Sequence, residues 1–430
     1  MSNQTQAAPS MDLTAPAAGT NRSASVLLIA WRNLWRNRRR TWLTAGGIAF
    51  AVWLLIFSMS MQDGSFEMMI DNGARLALGH VQIQHPDYQD DPRMEYTVPG
   101  SRALIALAEA DPEVTMASAR VYGFALVNHE ERSFGAQIFG VDAAREAQWS
   151  SLPGMVREGR YLAGPGEAFL GSILARNLGL TVGDEIVLLG TAREGGVAAA
   201  VATVVGTFES GQADLDRSLL QVPLEDFRAA WELDGDEAHA IVVLAGTVSD
   251  SVGVAERLAQ QASPEWRALN WRELMPEAVQ TIDIKLIGTL LFFGLIAIIV
   301  TFSIVNTFMM TIFERTQEFG MLMAIGMKPG RIMLQLALEA LFLALLGVVI
   351  GFALSAAVLV PLASSGMPLP DSATEILNQY NMPERMYPRF SNLAAIASAA
   401  IMIIGTQLAA FIPALRIRRM TPVEALRGNE

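Results

Sequence analysis

The sequence has no cysteine, two lysines and 17% charged residues in a chain of 430. Without cysteine there is no disulfide framework, thiol nucleophile or thiolate metal site, and the absence fits oxidising and reducing compartments alike. The two lysines, Lys285 and Lys328, follow Ile284 and Met327. A phosphate-binding P-loop needs a lysine directly after glycine, so the chain has no Walker A segment and does not hydrolyse ATP by that route. No G-x-S-x-G elbow occurs, and His129-Glu130-Glu131 lacks the second histidine of H-E-x-x-H. An average globular protein is about 25% charged. The deficit here, with a mean hydropathy of +0.33, argues against a wholly soluble protein and excludes disorder over most of the chain. The formal charge of −12 argues against a nucleic-acid partner.

What is present is four long uncharged stretches, at 41–62, 286–313, about 334–360 (interrupted near its start by Glu339) and 391–415. A helix needs about 20 apolar residues to span a bilayer, so each is read as a transmembrane helix. The first begins too far into the chain, and is too long, for a cleaved signal peptide. Arginines crowd the segment before it (Arg22, Arg32, Arg36, Arg38, Arg39, Arg40), and basic residues also dominate 314–331 and 416–430. The positive-inside rule then places both termini and 314–331 in the cytoplasm, and 63–283 and 361–390 on the far side. Segment 63–283 carries 34 acidic residues and 15 arginines, a net of −19, which leaves +7 for the rest.

Residues 1–25 are expected to be disordered. Apolar residues at 27, 28, 31, 34 and 35 have helical spacing, predicting an amphipathic interfacial helix over 26–40 with Trp31, Trp35 and Trp42 at headgroup depth. Segment 63–283 reads as mixed α and β. Strands are expected near 79–84, 124–127, 137–141, 185–189, 200–208 and 240–244, and helices near 101–110, 173–180 and 252–261. Its flanks, 63–78 and 274–285, are expected to continue the membrane helices outward as a stalk.

Candidate chemistry is sparse. His80, His85 and His129 are the only combination that suggests zinc, and isolated histidines are mostly structural. The acid pairs Asp90-Asp91, Glu130-Glu131 and Asp236-Glu237 read as solvated surface in so acidic a segment. In the membrane runs, Glu339 calls for a partner, Gly347-x-x-x-Gly351 permits close helix approach, and Asn306 is expected to find an interhelical hydrogen bond.

Three separated motifs carry a family resemblance. Glu314-Arg315-Thr316-Gln317-Glu318-Phe319-Gly320-Met321-Leu322-Met323-Ala324-Ile325-Gly326 resembles the E-R-x-x-E-I-G-I-x-x-A-x-G link of the FtsX/MacB/LolC-type permeases. Trp31-Arg32-Asn33-Leu34-Trp35-Arg36-Asn37-Arg38-Arg39-Arg40-Thr41 is similar to the R-N-L-x-R-x-x-x-R-T preceding that family's first helix. Pro413-Ala414, Arg416 to Arg419, then Pro422-Val423-Glu424-Ala425-Leu426-Arg427 resemble its P-A and P-x-E-A-L-R ending. Leu174 to Leu178 with Gly183-Asp184 is similar to an L-A-x-x-L…G-D segment of its exported domain.

The resemblance implies one helix, a large mixed α+β extracytoplasmic domain, then three helices, in a bacterial inner-membrane ABC transporter permease of the mechanotransmission type. The implied partners are a cytoplasmic ATPase subunit holding ATP and magnesium, a second permease (a copy or a paralogue), membrane lipid, and an extracytoplasmic substrate or carrier, such as a lipoprotein. No cofactor is expected in this chain. Glu314, Arg315, Glu318, Phe319, Gly320, Met321, Leu322, Ala324 and Gly326 are the implied ATPase-coupling residues, with Phe319, Met321, Leu322 and Ile325 as an apolar docking face and the charged residues at its rim. Two alternatives stay open: a transmembrane regulator of an envelope hydrolase that transports nothing, and a membrane-anchored enzyme.

Overall fold

The computed structural model describes residues 21–368 and 385–419. The expectations for 1–20, for most of the 361–390 link and for the Pro422–Arg427 signature lie outside them, while residues 21–25, also expected to be disordered, belong to the first helix. The helices are α1 (Asn21–Leu34), α2 (Arg38–Gly73), α3 (Ser101–Glu109), α4 (Ala143–Trp149), α5 (Ser172–Leu178), α6 (Ala213–Ser218), α7 (Leu224–Trp231), α8 (Asp250–Ala259), α9 (Trp271–Leu274), α10 (Pro276–Glu314), α11 (Thr316–Ala324), α12 (Pro329–Ser365) and α13 (Asn392–Arg419). The strands of the large sheet are β1 (Val81–Gln84), β2 (Val114–His129), β3 (Arg132–Val141), β4 (Val156–Gly159), β5 (Glu167–Gly171), β6 (Glu185–Thr191), β7 (Val197–Phe208), β8 (Leu219–Pro223), β9 (Ala240–Ala245) and β10 (Arg267–Asn270). The chain forms two compact units, one of residues 1–60, 289–361 and 390–430, the other of 61–288 and 362–389.

The first unit holds the apolar lengths of α2, α10, α12 and α13, four helices long and apolar enough to cross a bilayer. Ile48, Val52 and Ile56 of α2, Ile304 and Phe308 of α10, Leu343 of α12 and Met402 of α13 share one buried cluster. The helix expected over 26–40 is interrupted. It ends at Leu34, residues 35–37 form a turn, and Arg38 to Arg40 open α2. Thr41 Oγ1 donates to the carbonyls of Leu34 and Asn37, taking up acceptors that a helix end leaves free.

The second unit is a sheet in the order β10-β1-β9-β2-β3-β8-β5-β7-β4, with β6 paired to both β2 and β7. Ile83, Val121, Val127, Ile138, Leu170 and Val204 share a core with Leu104 of α3, Leu174 and Leu178 of α5, Phe227 and Trp231 of α7, and Val254 and Leu258 of α8. Asp142 caps α4 by accepting from the amides of Ala144 and Arg145. Gly179, at φ 71°, closes α5 in the left-handed region.

The strand expected at 124–127 is the tip of a 16-residue strand, and β4, β5, β8 and β10 were not anticipated. Residues 117–121 of β2 and 168–171 of β5 are buried on both sides, so the alternation that marks a half-buried strand is missing there.

Helix α2 ends in a π-helical turn, Ala74–Leu78, and Ile70 packs with Trp271, Met275, Val279 and Ile282. The segment after α12 pairs Met367–Pro368 with Arg385–Met386. It reaches α2 where Gly64 lies under the Tyr387 carbonyl, so closely that a Cβ would overlap it. Arg389 pairs with Glu67 beside this contact.

Candidate coupling site

The link, the segment leading into α2 and the Pro413-Ala414 end of α13 converge within the first unit. After α10 ends at Glu314, Arg315 turns the chain (φ −105°, ψ 12°) into α11. The end of α11 is a Schellman closure. Met327 N–H donates to Leu322 O (2.9 Å), Gly326 N–H donates to Met323 O (3.0 Å), and Gly326 takes φ 98°. That left-handed conformation explains the glycine at 326. Pro329 then opens α12, where its missing N–H is harmless.

A polar network fixes this turn. Arg315 is 7% exposed and donates from Nη1 to both oxygens of Glu339 (3.2 and 3.3 Å) and from Nε to Glu318 (3.0 Å), with its guanidinium over the Phe319 ring. Glu339 also accepts from Asn33 Nδ2 (2.7 Å) and Gln335 (3.4 Å). Glu318 pairs with Arg36 (3.1 Å) and Glu314 with Arg40 (2.9 Å). Partial burial raises the Glu318 pKa, but hydrogen bonds from Arg315 and Arg36 outweigh it and hold the carboxyl below its ordinary value. The residues before and at the start of α2 and the E-R-x-x-E link are thus two halves of one ion-pair network.

The third motif supplies the floor. Ala414 and Ile417 of α13 form a buried cluster with Ile312, Phe319, Ile332 and Leu336. This corrects the expected docking face. Phe319 is 1% exposed and anchors α11 inward, Gly320 is buried with it, and Leu322 packs partly against the same cluster. Arg315 is a buried node, not a rim charge. What α11 leaves open is a crest of Met321, Ala324 and Ile325, with Ile325 at 85% exposure and Gly326 also exposed. These positions share one helix face. Glu314 and Glu318 flank it, each already paired to an arginine.

Gly347 and Gly351 act in packing. A Cβ at Gly347 would lie 2.6 Å from the Ile48 side chain, and one at Gly351 would lie 2.7 Å from Val52 and 2.8 Å from the Ala49 carbonyl, so α12 meets α2 backbone to backbone. The Asn306 side chain is exposed and makes no hydrogen bond among the described residues. The three histidines do not converge. His80 contacts Asp71 (3.1 Å), His85 stacks on Tyr96, and His129 meets the Glu185 carbonyl (3.1 Å). Among the described residues no cluster of three metal-ligating side chains occurs.

Comparison with known proteins defines the class. The family model "MacB-like periplasmic core domain" matches residues 41–261, and "FtsX-like permease C-terminal" matches 290–422. The chain belongs to the FtsX/MacB-type permeases of ABC transporters, with four transmembrane helices and a mixed α/β core domain between the first and second. Among its relatives, the lipoprotein-releasing system transmembrane protein LolC of Xylella fastidiosa is 24% identical over 399 residues, spanning 89% of this chain and 92% of that one. The pyoverdine export ATP-binding/permease protein PvdT of Pseudomonas aeruginosa is 26% identical over 419 residues, spanning 93% of this chain and 58% of that one. A solved structure of the periplasmic region of MacB from Actinobacillus actinomycetemcomitans is similar to 48% of this chain and 94% of that one, at 12% identity and a TM-score of 0.35.

Proposed function

We propose that this chain is the permease half of a lipoprotein-releasing or related envelope transporter, driven by a separate cytoplasmic ATPase that docks on the crest of α11. The observation that carries this reading is the contrast within one nine-residue helix. One side is locked by Arg315, Glu339 and Phe319, while Met321, Ala324 and Ile325 stay exposed. A helix held rigidly from behind, with an apolar face outward, suits insertion into a groove on a partner. ATP and magnesium sit on that partner. Both termini and α11 face the cytoplasm, and the core domain faces the periplasm.

Two permeases pair through membrane helices. Helix α10 supports this, exposing Leu291, Ile299 and Phe302 at 60–72%; Asn306 on the same helix then bonds across the dimer. Closing of the ATPases is relayed along α2 and α10 to the core domain. The full-length relationship to a lipoprotein-releasing transmembrane protein favours a lipidated substrate over a soluble one.

The test is co-purification of an ATPase from the native membrane with the wild-type chain, Ile325→Asp and Glu318→Lys. Recovery should fall at least about ten-fold with Ile325→Asp, the loss expected when a buried anchor becomes a charge. Equal recovery with all three chains, or no ATPase with any, overturns docking at α11.

A further inference from the structure

The core domain has a cleft that the coupling reading does not use. It encloses about 600 Å³, within the range of small-molecule sites. Its floor is the sheet face opposite the one covered by α3, α5, α7 and α8; α4 covers another part of the same face through Trp149, beside Val242 and Leu244. Gln82 and Gln84 of β1, 3% and 1% exposed, lie there, with Tyr122 of β2 opposite Phe139 of β3. Tyr88 and Met94, from the segment after β1, form a wall. Tyr88 lies 6.2 Å from Tyr122 between ring centroids, and Tyr122 meets Phe139 edge-on at 4.9 Å. The Tyr122 hydroxyl is buried between Arg120 and Gln82 without a well-formed hydrogen bond. Burial pushes the ionisation of Tyr88 and Tyr122 upward, so both phenols stay neutral donors.

Two properties narrow the ligand. The first is charge. Among the described residues, no acidic residue lines the cleft, and its only charged residue, Arg93, is paired with Asp91 at 2.6 Å. Arg120 beneath the floor is spent on Glu146. A carboxylate entering the cleft meets no free cation and the field of a segment of net charge −19. The second is the exit. Phe124 lines the cleft and begins an open apolar strip on the same face. Leu126 pairs with Leu189, and Val187 pairs with Val201. All are 38–65% exposed. An apolar strip of this kind, continuous with a cavity, marks a binding surface.

We infer that the cleft binds one uncharged molecule bearing an amide or hydroxyl group, whose apolar tail leaves past Phe124 along the β2–β6–β7 strip. Gln82 Nε2 already donates to the Leu78 carbonyl (2.7 Å) and Gln84 Nε2 to Gln89 Oε1 (3.2 Å), so each amide offers its second N–H and its oxygen to such a head group, beside the unbonded Tyr122 hydroxyl; the aromatic walls match its apolar body. The site belongs to the core domain alone and needs no nucleotide, so its failure leaves the coupling reading intact.

The experiment uses the full chain in lipid nanodiscs and a diazirine-bearing N-methyl lauramide as photoprobe, with labelled peptides mapped by mass spectrometry. The peptides containing Met94 and Phe124 should label above other exposed core-domain peptides. Excess unlabelled N-methyl lauramide should suppress that labelling about ten-fold more effectively than laurate, the discrimination expected for a charge without a partner. Gln137, exposed at the cleft edge, gives a filling variant that spares the core. Gln137→Trp should lower the Met94 and Phe124 labelling several-fold while labelling of the membrane helices, the internal control for folding, is unchanged. Val201→Asp, remote from the cleft on the strip, should weaken it less. Labelling spread evenly over the core domain, indifference to the competitor, equal competition by laurate, or no effect of Gln137→Trp each overturns the proposal.

Discussion

The two units bury their charges differently. In the core domain, Arg120 and Glu146 are both fully buried. Arg120 donates from Nε to Glu146 (3.2 Å) and from Nη1 to the Ala77 carbonyl in the π-helical turn, and its guanidinium covers the Trp149 ring at 4.6 Å. Among the described residues, Arg120 is the only side chain bonded to the Glu146 carboxylate. In the membrane unit, the Arg315 and Glu339 side chains retain slight exposure (9% of each side chain), and each has further partners. One pair is a sealed bolt between β2, α4 and the end of the α2 path. The other is a node with exposed branches to Arg36 and Arg40. A sealed pair fixes one geometry, whereas a branched pair tolerates rearrangement because each group keeps a partner when one contact opens. That suits the coupling role proposed for this link.

The largest effect should come from opening the sealed pair. Arg120→Met leaves the Glu146 carboxylate buried and unpartnered, at a cost of about 3–5 kcal/mol. The core domain should lose a corresponding part of its resistance to proteolysis in nanodiscs. Arg120→Met with Glu146→Leu should recover most of it, since removing both charges removes the desolvation cost. Full stability of the single variant would show that the pair is not sealed.

Arg315→Met should cost less, about 2–3 kcal/mol, the worth of hydrogen bonds to a charged group, because Glu339 keeps Asn33 and Gln335. The thermal midpoint of the chain in nanodiscs should fall by less than for Arg120→Met. Accessibility of a cysteine placed at Leu322, half-buried against the Phe319 cluster, should rise as α11 loosens. A larger fall than for Arg120→Met would invert the comparison between the two pairs.

The difference between the pairs also marks what the sequence makes legible. Four uncharged runs, the one-plus-three order and the link motif follow from local composition and spacing, and the fold class follows with them. The orientation of α11 does not. From Phe319 to Ile325 it is apolar nearly all round, so periodicity offers two candidate faces, Phe319 with Leu322 or Met321 with Ile325. The choice is made by Arg315 meeting Glu339, 24 residues away, and by Ile417 from the far end of the chain. Arg120 and Glu146 are likewise 26 residues apart with no motif to join them. The apolar strip was hidden for another reason: β6 and β7 alternate as half-buried strands do, but valine and leucine occupy the open face where polar residues are expected.

The smallest effect belongs to the exposed branch and sharpens the comparison through pH. Glu318 is 43% exposed, so its pairs with Arg315 and Arg36 are screened by solvent and salt. Its carboxyl is held below the ordinary value near 4.5. A depressed carboxylate contributes its stabilisation in full above the unfolded-state value and loses it as pH falls through the folded-state value. Between pH 7 and pH 5 Glu318 should therefore add no pH dependence to the thermal midpoint, and wild type minus Glu318→Gln should be a constant positive difference. Below about pH 4.5 that difference should shrink toward zero as Glu318 protonates in the wild type. High salt should shrink it at neutral pH as well, whereas the cost of Arg120→Met should be nearly insensitive to salt, because a fully buried pair is screened far less. A salt-dependent cost at Arg120, or a salt-independent one at Glu318, would mean that the sealed and branched descriptions have been assigned to the wrong pairs.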